Sequence, residues 1–200
     1  MLTNFARTQA KDFLDSLAVW LNRLGFTPNT LTLLGFAFVC VTALVIAAGY
    51  EALGGILLIF GAALDATDGA LARLTNRVTK FGGFLDSSLD RYADGVLMLA
   101  LVWRGIEYNN RWIIVLATVA LIGAFLVSYT RARAESAGVM LKEGFFTRLE
   151  RMLVLVLGLL STLFIPQTGL AMMLVILAIL SNATAVQRIW LTRQKLGDSS

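Results

Sequence analysis

Asp65, Asp68, Asp86, Asp90 and Asp94 interrupt two stretches that are otherwise apolar. Asp65 and Asp68 are three residues apart and Asp86 and Asp90 four apart, so each pair shares one face of a helix. Four carboxylates converging from two neighbouring helices form an all-oxygen donor set, which suits hard cations such as Mg²⁺ or Mn²⁺. Two such ions would balance four carboxylate charges, and a bridged pair of metals is suited to displacement at phosphorus. Gly69 follows Asp68, and Gly82 and Gly83 precede Asp86. Residues without side chains let a ligand or a second helix come close to the backbone. Arg73 and Thr79 border the same region and could hold a diphosphate.

The acids need an offset. A carboxylate at the centre of a bilayer costs about 2.5–3.5 kcal/mol on insertion scales, so four cost on the order of 10 kcal/mol before they repel one another. Bound cations would supply that offset. The acids could also line an ion path in a transporter, or play a structural part. A path would spread acids along several helices, whereas these cluster on two. The chain has no His, and its one Cys, Cys40, sits in an apolar run. His-ligated zinc, a Ser-His-Asp triad and a thiolate cluster are therefore excluded, leaving carboxylates, Lys, Tyr and Ser for acid–base work. Gly54, Gly55 and Gly61 read equally well as helix-packing residues.

The elements that must position these acids are membrane helices. Of 200 residues, 58% are hydrophobic and 15% charged, where a soluble domain carries about 25% charged residues. Six stretches, at about 31–50, 54–75, 82–104, 112–131, 149–165 and 169–190, approach the ~20 residues that span a bilayer as helix. The second and third carry the acids on one side. Ahead of them, Phe13, Leu14, Leu17, Leu21 and Leu24 recur at helical spacing among Lys11, Asp12, Asp15, Asn22 and Arg23, which predicts a helix lying in the membrane interface over 1–27. Thr27-Pro28-Asn29 breaks the chain, and Asn29 or Thr30 is placed to cap the first span. The expected fold is an all-α membrane protein of one domain over 1–200. An interfacial helix precedes a six-helix bundle over 28–191, and a polar tail occupies 192–200. Lys and Arg concentrate in the N-terminal segment, around 73–80, over 131–151 and at 188–195, which predicts both termini and the acidic cluster on the cytoplasmic side.

Written out, Asp65-x2-Asp68-Gly69-x2-Ala72-Arg73-x8-Gly82-x3-Asp86-x3-Asp90 matches the signature of the CDP-alcohol phosphotransferase family at every fixed position, eight specified residues over 26 positions. The six-span layout and the run Thr27-Pro28-Asn29-x-Leu31-Thr32 also resemble that family. The resemblance implies a membrane transferase that moves a substituted phosphate from a CDP-alcohol, such as CDP-diacylglycerol, to an alcohol with release of CMP. It implies two metal ions held by Asp65, Asp68 and Asp86, with Asp90 a further ligand or the base that deprotonates the acceptor. It places Gly69, Arg73, Thr79 and Gly82 on the cytidine diphosphate part.

The segment Ser128-Tyr129-Thr130-Arg131-Ala132-Arg133-Ala134-Glu135, with Arg148, Glu150, Arg151 and Arg188, resembles prokaryotic phosphatidylinositol-phosphate synthases within that family. The likeness implies that Arg131, Arg133, Arg151 and Arg188 bind the phosphate of inositol phosphate, through contacts for which the planar guanidinium is suited. The same residues serve equally as positive-inside signals, and glycerol 3-phosphate is the alternative phosphorylated acceptor. The implied setting is a prokaryotic cell membrane, with a homodimer as assembly and no nucleic-acid partner. Asp94 continues the Asp86–Asp90 stripe one turn further, and it reads either as a support behind the metal ligands or as a polar contact between helices, not as a metal ligand itself.

Overall fold

Thr27 and Pro28 decide where the first long helix begins. In the computed structural model, which describes residues 14–141 and 144–197, the Thr27 hydroxyl accepts a hydrogen bond from Thr30 N at 3.3 Å. The cap is therefore Thr27, not Asn29 or Thr30. Proline at the first helical position loses no intrahelical bond and brings its φ preset, so the helix starts on it. The described chain is all-helical: α1 over 14–23, then α2 (Pro28–Ala47), α3 (Glu51–Leu74), α4 (Lys80–Glu107), α5 (Arg111–Ser136), α6 (Arg148–Ser161) and α7 (Pro166–Gly197).

Among the described residues, α2, α3, α5 and α7 are long and apolar enough to cross a membrane. The other two depart from the six expected spans for different reasons. The 28-residue α4 has the length but carries Asp86, Asp90, Arg91 and Asp94 within its first 15 residues. The 14-residue α6 rises only about 21 Å, short of the ~30 Å hydrocarbon core.

The chain divides into two compact units, Met1–Thr42 with Leu57–Ala93, and Ala43–Ile56 with Asp94–Ser200. In the first, Ala18 and Leu21 of α1 are buried with Leu31 of α2 and Ala70 and Leu71 of α3, and Leu17 and Phe26 pack against them. Part of the apolar stripe predicted to face lipid therefore faces the protein, while Val19, Trp20 and Leu24 stay exposed. The stripe's first member, Phe13, and the bases Arg7 and Lys11 lie outside the described residues, as does the end of the polar tail. Gly61 abuts Phe38, in keeping with a packing role.

In the second unit α7 packs against α5 and α6. Gly55 meets Leu159 and Gly54 meets Ile46, again as packing residues. Asn110 caps α5 by accepting from Trp112 N at 3.1 Å. Thr147 and Glu150 form a capping box on α6, which fixes the turn that carries Arg151.

A polar cluster ties Glu51, at the start of α3, to the last turn of α4. Glu51 Oε1 accepts from Arg104 Nε at 2.7 Å and from the Tyr108 hydroxyl at 2.8 Å. The Arg104 guanidinium also pairs with Glu107 and lies 4.5 Å from the Tyr108 ring centroid, in range for a cation–π contact. Glu51 and Arg104 are both buried. Glu51→Gln keeps the shape but removes the charge that two donors share, so it should cost about 1–3 kcal/mol. The measurement is the melting temperature in detergent. An unchanged value would mean that the cluster is decoration.

Candidate active site

The acidic face of α3 and the first turns of α4 meet within the first unit. Asp65, Asp68 and Asp86 each place a carboxylate oxygen within 4.8 Å of the others. Three of the four predicted ligands thus come together. Asp90 is not a member of that trio; its Oδ2 accepts from Arg91 Nη2 at 3.3 Å.

Asp68 is the most enclosed of the trio, at 7% exposure, and it is held. Thr32 Oγ1 donates to Asp68 Oδ2 at 2.6 Å and lies 3.0 Å from Pro28 O one turn back on α2. A carboxylate held by a neighbouring hydroxyl presents its remaining lone pairs in a set direction. The site residues named from sequence omit Thr32. Its signal was present, because Pro28 at the helix start puts Thr32 one turn in, on the face that carries Asn29 and Pro28.

Beside the trio lies an open cavity of ≈ 340 Å³. Asp68 and Asp86 line it, as do all four residues expected at the cytidine diphosphate: Gly69, Arg73, Thr79 and Gly82. Asn29, Arg77 and Val78 also stand in the wall, and none of the three was assigned to the site from sequence. Thr79 has a second task. Its Oγ1 accepts from Gly82 N at 2.9 Å, so it caps α4 while its own O–H can still donate to a ligand. Helix N-termini offer unpaired N–H groups and a partial positive charge to anions, and the start of α4 forms part of this wall. Space around Gly82 is tight, since a Cβ there would lie 3.0 Å from Thr79 Oγ1 and 3.2 Å from Asn29 Oδ1, and both side chains would have to give. Arg73 passes over Gly69, with Nη1 3.3 Å from where a Cβ would sit.

The donor set is all carboxylate oxygen, and its three members approach closely enough to share one ion or bridge two. That fits Mg²⁺ or Mn²⁺ and not a soft metal, which would call for sulfur or imidazole.

The four arginines expected at the acceptor belong to the second unit, and burial separates them. Arg151 and Arg188 are buried. Arg188 Nη1 donates to Val127 O at 2.5 Å, and the charges near it include Arg131 and Arg151, of like sign, and Glu135, of opposite sign. A Cβ on Gly144, whose φ is +155°, would lie 2.8 Å from Arg188 Nη2, so the loop before α6 closes directly on this guanidinium. Arg131 is 57% exposed and bonded to Glu135 at 2.9 Å. Arg133 is exposed. Arg151 Nη2 lies 3.2 Å from Asp94 Oδ2, the contact between helices that the stripe on α4 suggested.

A family model described as CDP-alcohol phosphatidyltransferase matches residues 26–187. An archaetidylinositol phosphate synthase of Pyrococcus horikoshii is 38% identical over 191 residues, covering 95% of this chain and 96% of that protein. A crystal structure of Mycobacterium tuberculosis phosphatidylinositol phosphate synthase with CDP-DAG bound superposes with a TM-score of 0.84 at 30% identity, covering 90% of this chain and 92% of that one. A second structure of that synthase, in complex with manganese and citrate, gives 0.83 at 31% identity, covering 90% and 88%.

Proposed function

The chain belongs to the CDP-alcohol phosphatidyltransferase family, and we propose that it transfers the phosphatidyl group of CDP-diacylglycerol to a hydroxyl of inositol phosphate, releasing CMP. The observation that carries this reading is the joining of Asp68 and Asp86 to Gly69, Arg73, Thr79 and Gly82 in one cavity. A second synthase structure with manganese and the all-oxygen trio support a divalent metal at Asp65, Asp68 and Asp86.

When bound there, Mg²⁺ or Mn²⁺ neutralises charge on the donor diphosphate and on the departing CMP. Arg73 and the N–H groups at the start of α4 orient the diphosphate. Asp90 takes the proton of the acceptor hydroxyl as its oxygen attacks the lipid-bearing phosphorus. The bond from that phosphorus to the CMP oxygen breaks, and CMP leaves with the electron pair. Arg151 and Arg188, with Arg131 and Arg133 nearer solvent, hold the acceptor phosphate away from the reacting hydroxyl. Such distant binding energy positions the nucleophile.

The test is CMP release from CDP-diacylglycerol by purified enzyme in lipid, against a panel of acceptors. Inositol phosphate should be consumed and free inositol rejected, because a site built for a phosphate loses its charge-assisted contacts when the acceptor lacks one. Use of glycerol 3-phosphate instead would move the chain to another acceptor class and leave the family chemistry intact. Ion flux without CMP formation would favour the transport reading.

The proposal includes six membrane crossings within one functional domain over 1–200, an interfacial N-terminal helix, a homodimer, and both termini with the cavity on the cytoplasmic side. Loop charges support this arrangement. In a Cys40→Ala background, Tyr50→Cys, Asn109→Cys and Gln167→Cys should react with an impermeant maleimide added outside intact cells, and Asn76→Cys should not. Labelling at position 76 from outside would overturn the orientation.

A further inference from the structure

Asp94 belongs to neither the metal trio nor the cytidine diphosphate cavity, yet it is a charged side chain only 10% exposed. Its partner is Arg151, whose side chain is 8% exposed. Beside this pair is a small cavity of ≈ 20 Å³, and of the side chains lining it only Asp94, Arg151 and Ser181 are polar. The Ser181 hydroxyl is buried and has no hydrogen-bond partner among the described residues. The remaining wall, including Leu97, Met98, Leu155 and Leu177, is apolar. Asp94 is the one anionic side chain in that lining. Among the described residues, Asp94 is the single acceptor that the Arg151 guanidinium reaches, and it reaches it through Nη2 alone. Nε and Nη1 therefore stay available to an anion.

A buried ion pair adds little stability over apolar residues of the same volume. As an orienting device it has a clear use, because a guanidinium has fixed donor geometry and a carboxylate on one nitrogen sets the direction of the rest. We infer that Asp94 is a positioning residue for the acceptor phosphate, acting through Arg151. Resting on the proposed acceptor reading, the inference assigns α4 two tasks: its first turns supply Asp86 to the metal trio, and Asp94 aims the arginine that meets the second substrate. The adjoining cavity gives Arg151 room to shift once that restraint is gone.

The experiment measures apparent KM for inositol phosphate and for CDP-diacylglycerol in Asp94→Asn, Arg151→Ala and the double variant, with melting temperature followed in detergent. Asp94→Asn should raise the acceptor KM about tenfold, within the range for a lost charge-assisted contact, and leave the KM for CDP-diacylglycerol within about twofold. In the Arg151→Ala background the Asp94→Asn change should add nothing, since residues acting through one another are not additive. Ser181 lines the same cavity but makes no hydrogen bond to Arg151 among the described residues, so Ser181→Ala should leave the acceptor KM near wild type. If Asp94→Asn does not fold, Asp94→Glu serves. It keeps the charge but moves the carboxylate by one methylene, which a positioning role reads as a raised acceptor KM and a charge-balancing role as no change. An effect of Asp94→Asn that adds in full to that of Arg151→Ala would overturn the inference. So would a loss of melting temperature with both KM values unmoved. An Arg151→Ala variant with wild-type acceptor KM would instead overturn the acceptor reading on which the inference rests.

Discussion

Asp65→Asn, Asp68→Asn and Asp86→Asn should each lower CMP release at least about 100-fold, the upper range for losing even an outer-shell partner of a metal site, while the protein inserts and folds normally. Three carboxylates within 4.8 Å of one another repel. At that separation a pair of unit charges interacts by on the order of 3 kcal/mol at an effective dielectric of 20. Without metal, removing one charge relieves that repulsion, so the metal-free Asn variants should melt at or above the wild-type temperature. With metal the order reverses, because a ligand that binds only the folded state stabilises it by about 2.7 kcal/mol at 100 times its Kd. The decisive readout is the Mn²⁺-dependent rise in melting temperature, large in wild type and absent in the variants. Thr32→Val should fall between them, because it keeps all three carboxylates but frees Asp68 to turn, and Thr32→Ser should recover most of the loss. An Asn variant that retains both turnover and the Mn²⁺ shift would remove the trio from the metal site.

The trio was legible because helix period fixes which acids share a face, and a short loop between 75 and 79 leaves α3 and α4 little choice but to bring those faces together. The signature glycines and Arg73 came instead from the family likeness, and they line one cavity with Asp68 and Asp86. What periodicity does not encode is the partner across a long separation. Thr32 and Asp68 are 36 residues apart, and Asp94 and Arg151 are 57 apart. Their pairing depends on how helices pack, not on any local pattern. Burial of individual arginines was hidden for a related reason. Arg131 and Arg151 look alike as loop charges, yet one lies at an exposed helix end and the other is carried inward by the first turn of α6 behind the Thr147 cap. The stripe on α1 gave the right face but not what covers it, since Leu17 and Leu21 pack on protein as readily as on lipid. The cap at Thr27 was missed because Pro28 was read as a break, when proline also starts helices.

Burial should order the arginines by their effect on the acceptor. Arg188 is 5% exposed, so a phosphate beside it meets a donor that little water competes for. Losing a charge-assisted contact of that kind costs about 1.5–3 kcal/mol, or roughly 10- to 150-fold. Arg188→Ala should therefore raise the apparent KM for inositol phosphate by that factor, with the KM for CDP-diacylglycerol nearly constant. Arg188→Lys keeps the charge but loses the planar fork, and it should recover only part of the loss. Arg131 is 57% exposed and already bonded to Glu135. Exposed pairs contribute about 0–1 kcal/mol, so Arg131→Ala should change the acceptor KM no more than about fivefold. Arg133→Ala, at an exposed position, should change it less still. Steady-state kinetics with both substrates varied distinguishes the outcomes. Equal effects at Arg131 and Arg188 would mean that burial does not set the strength of the acceptor contacts. A change confined to the KM for CDP-diacylglycerol would assign Arg188 to the donor. The split expected here, a large effect on one substrate from the buried arginine and a small one from its exposed neighbour, is what a phosphate held in a partly desolvated pocket requires.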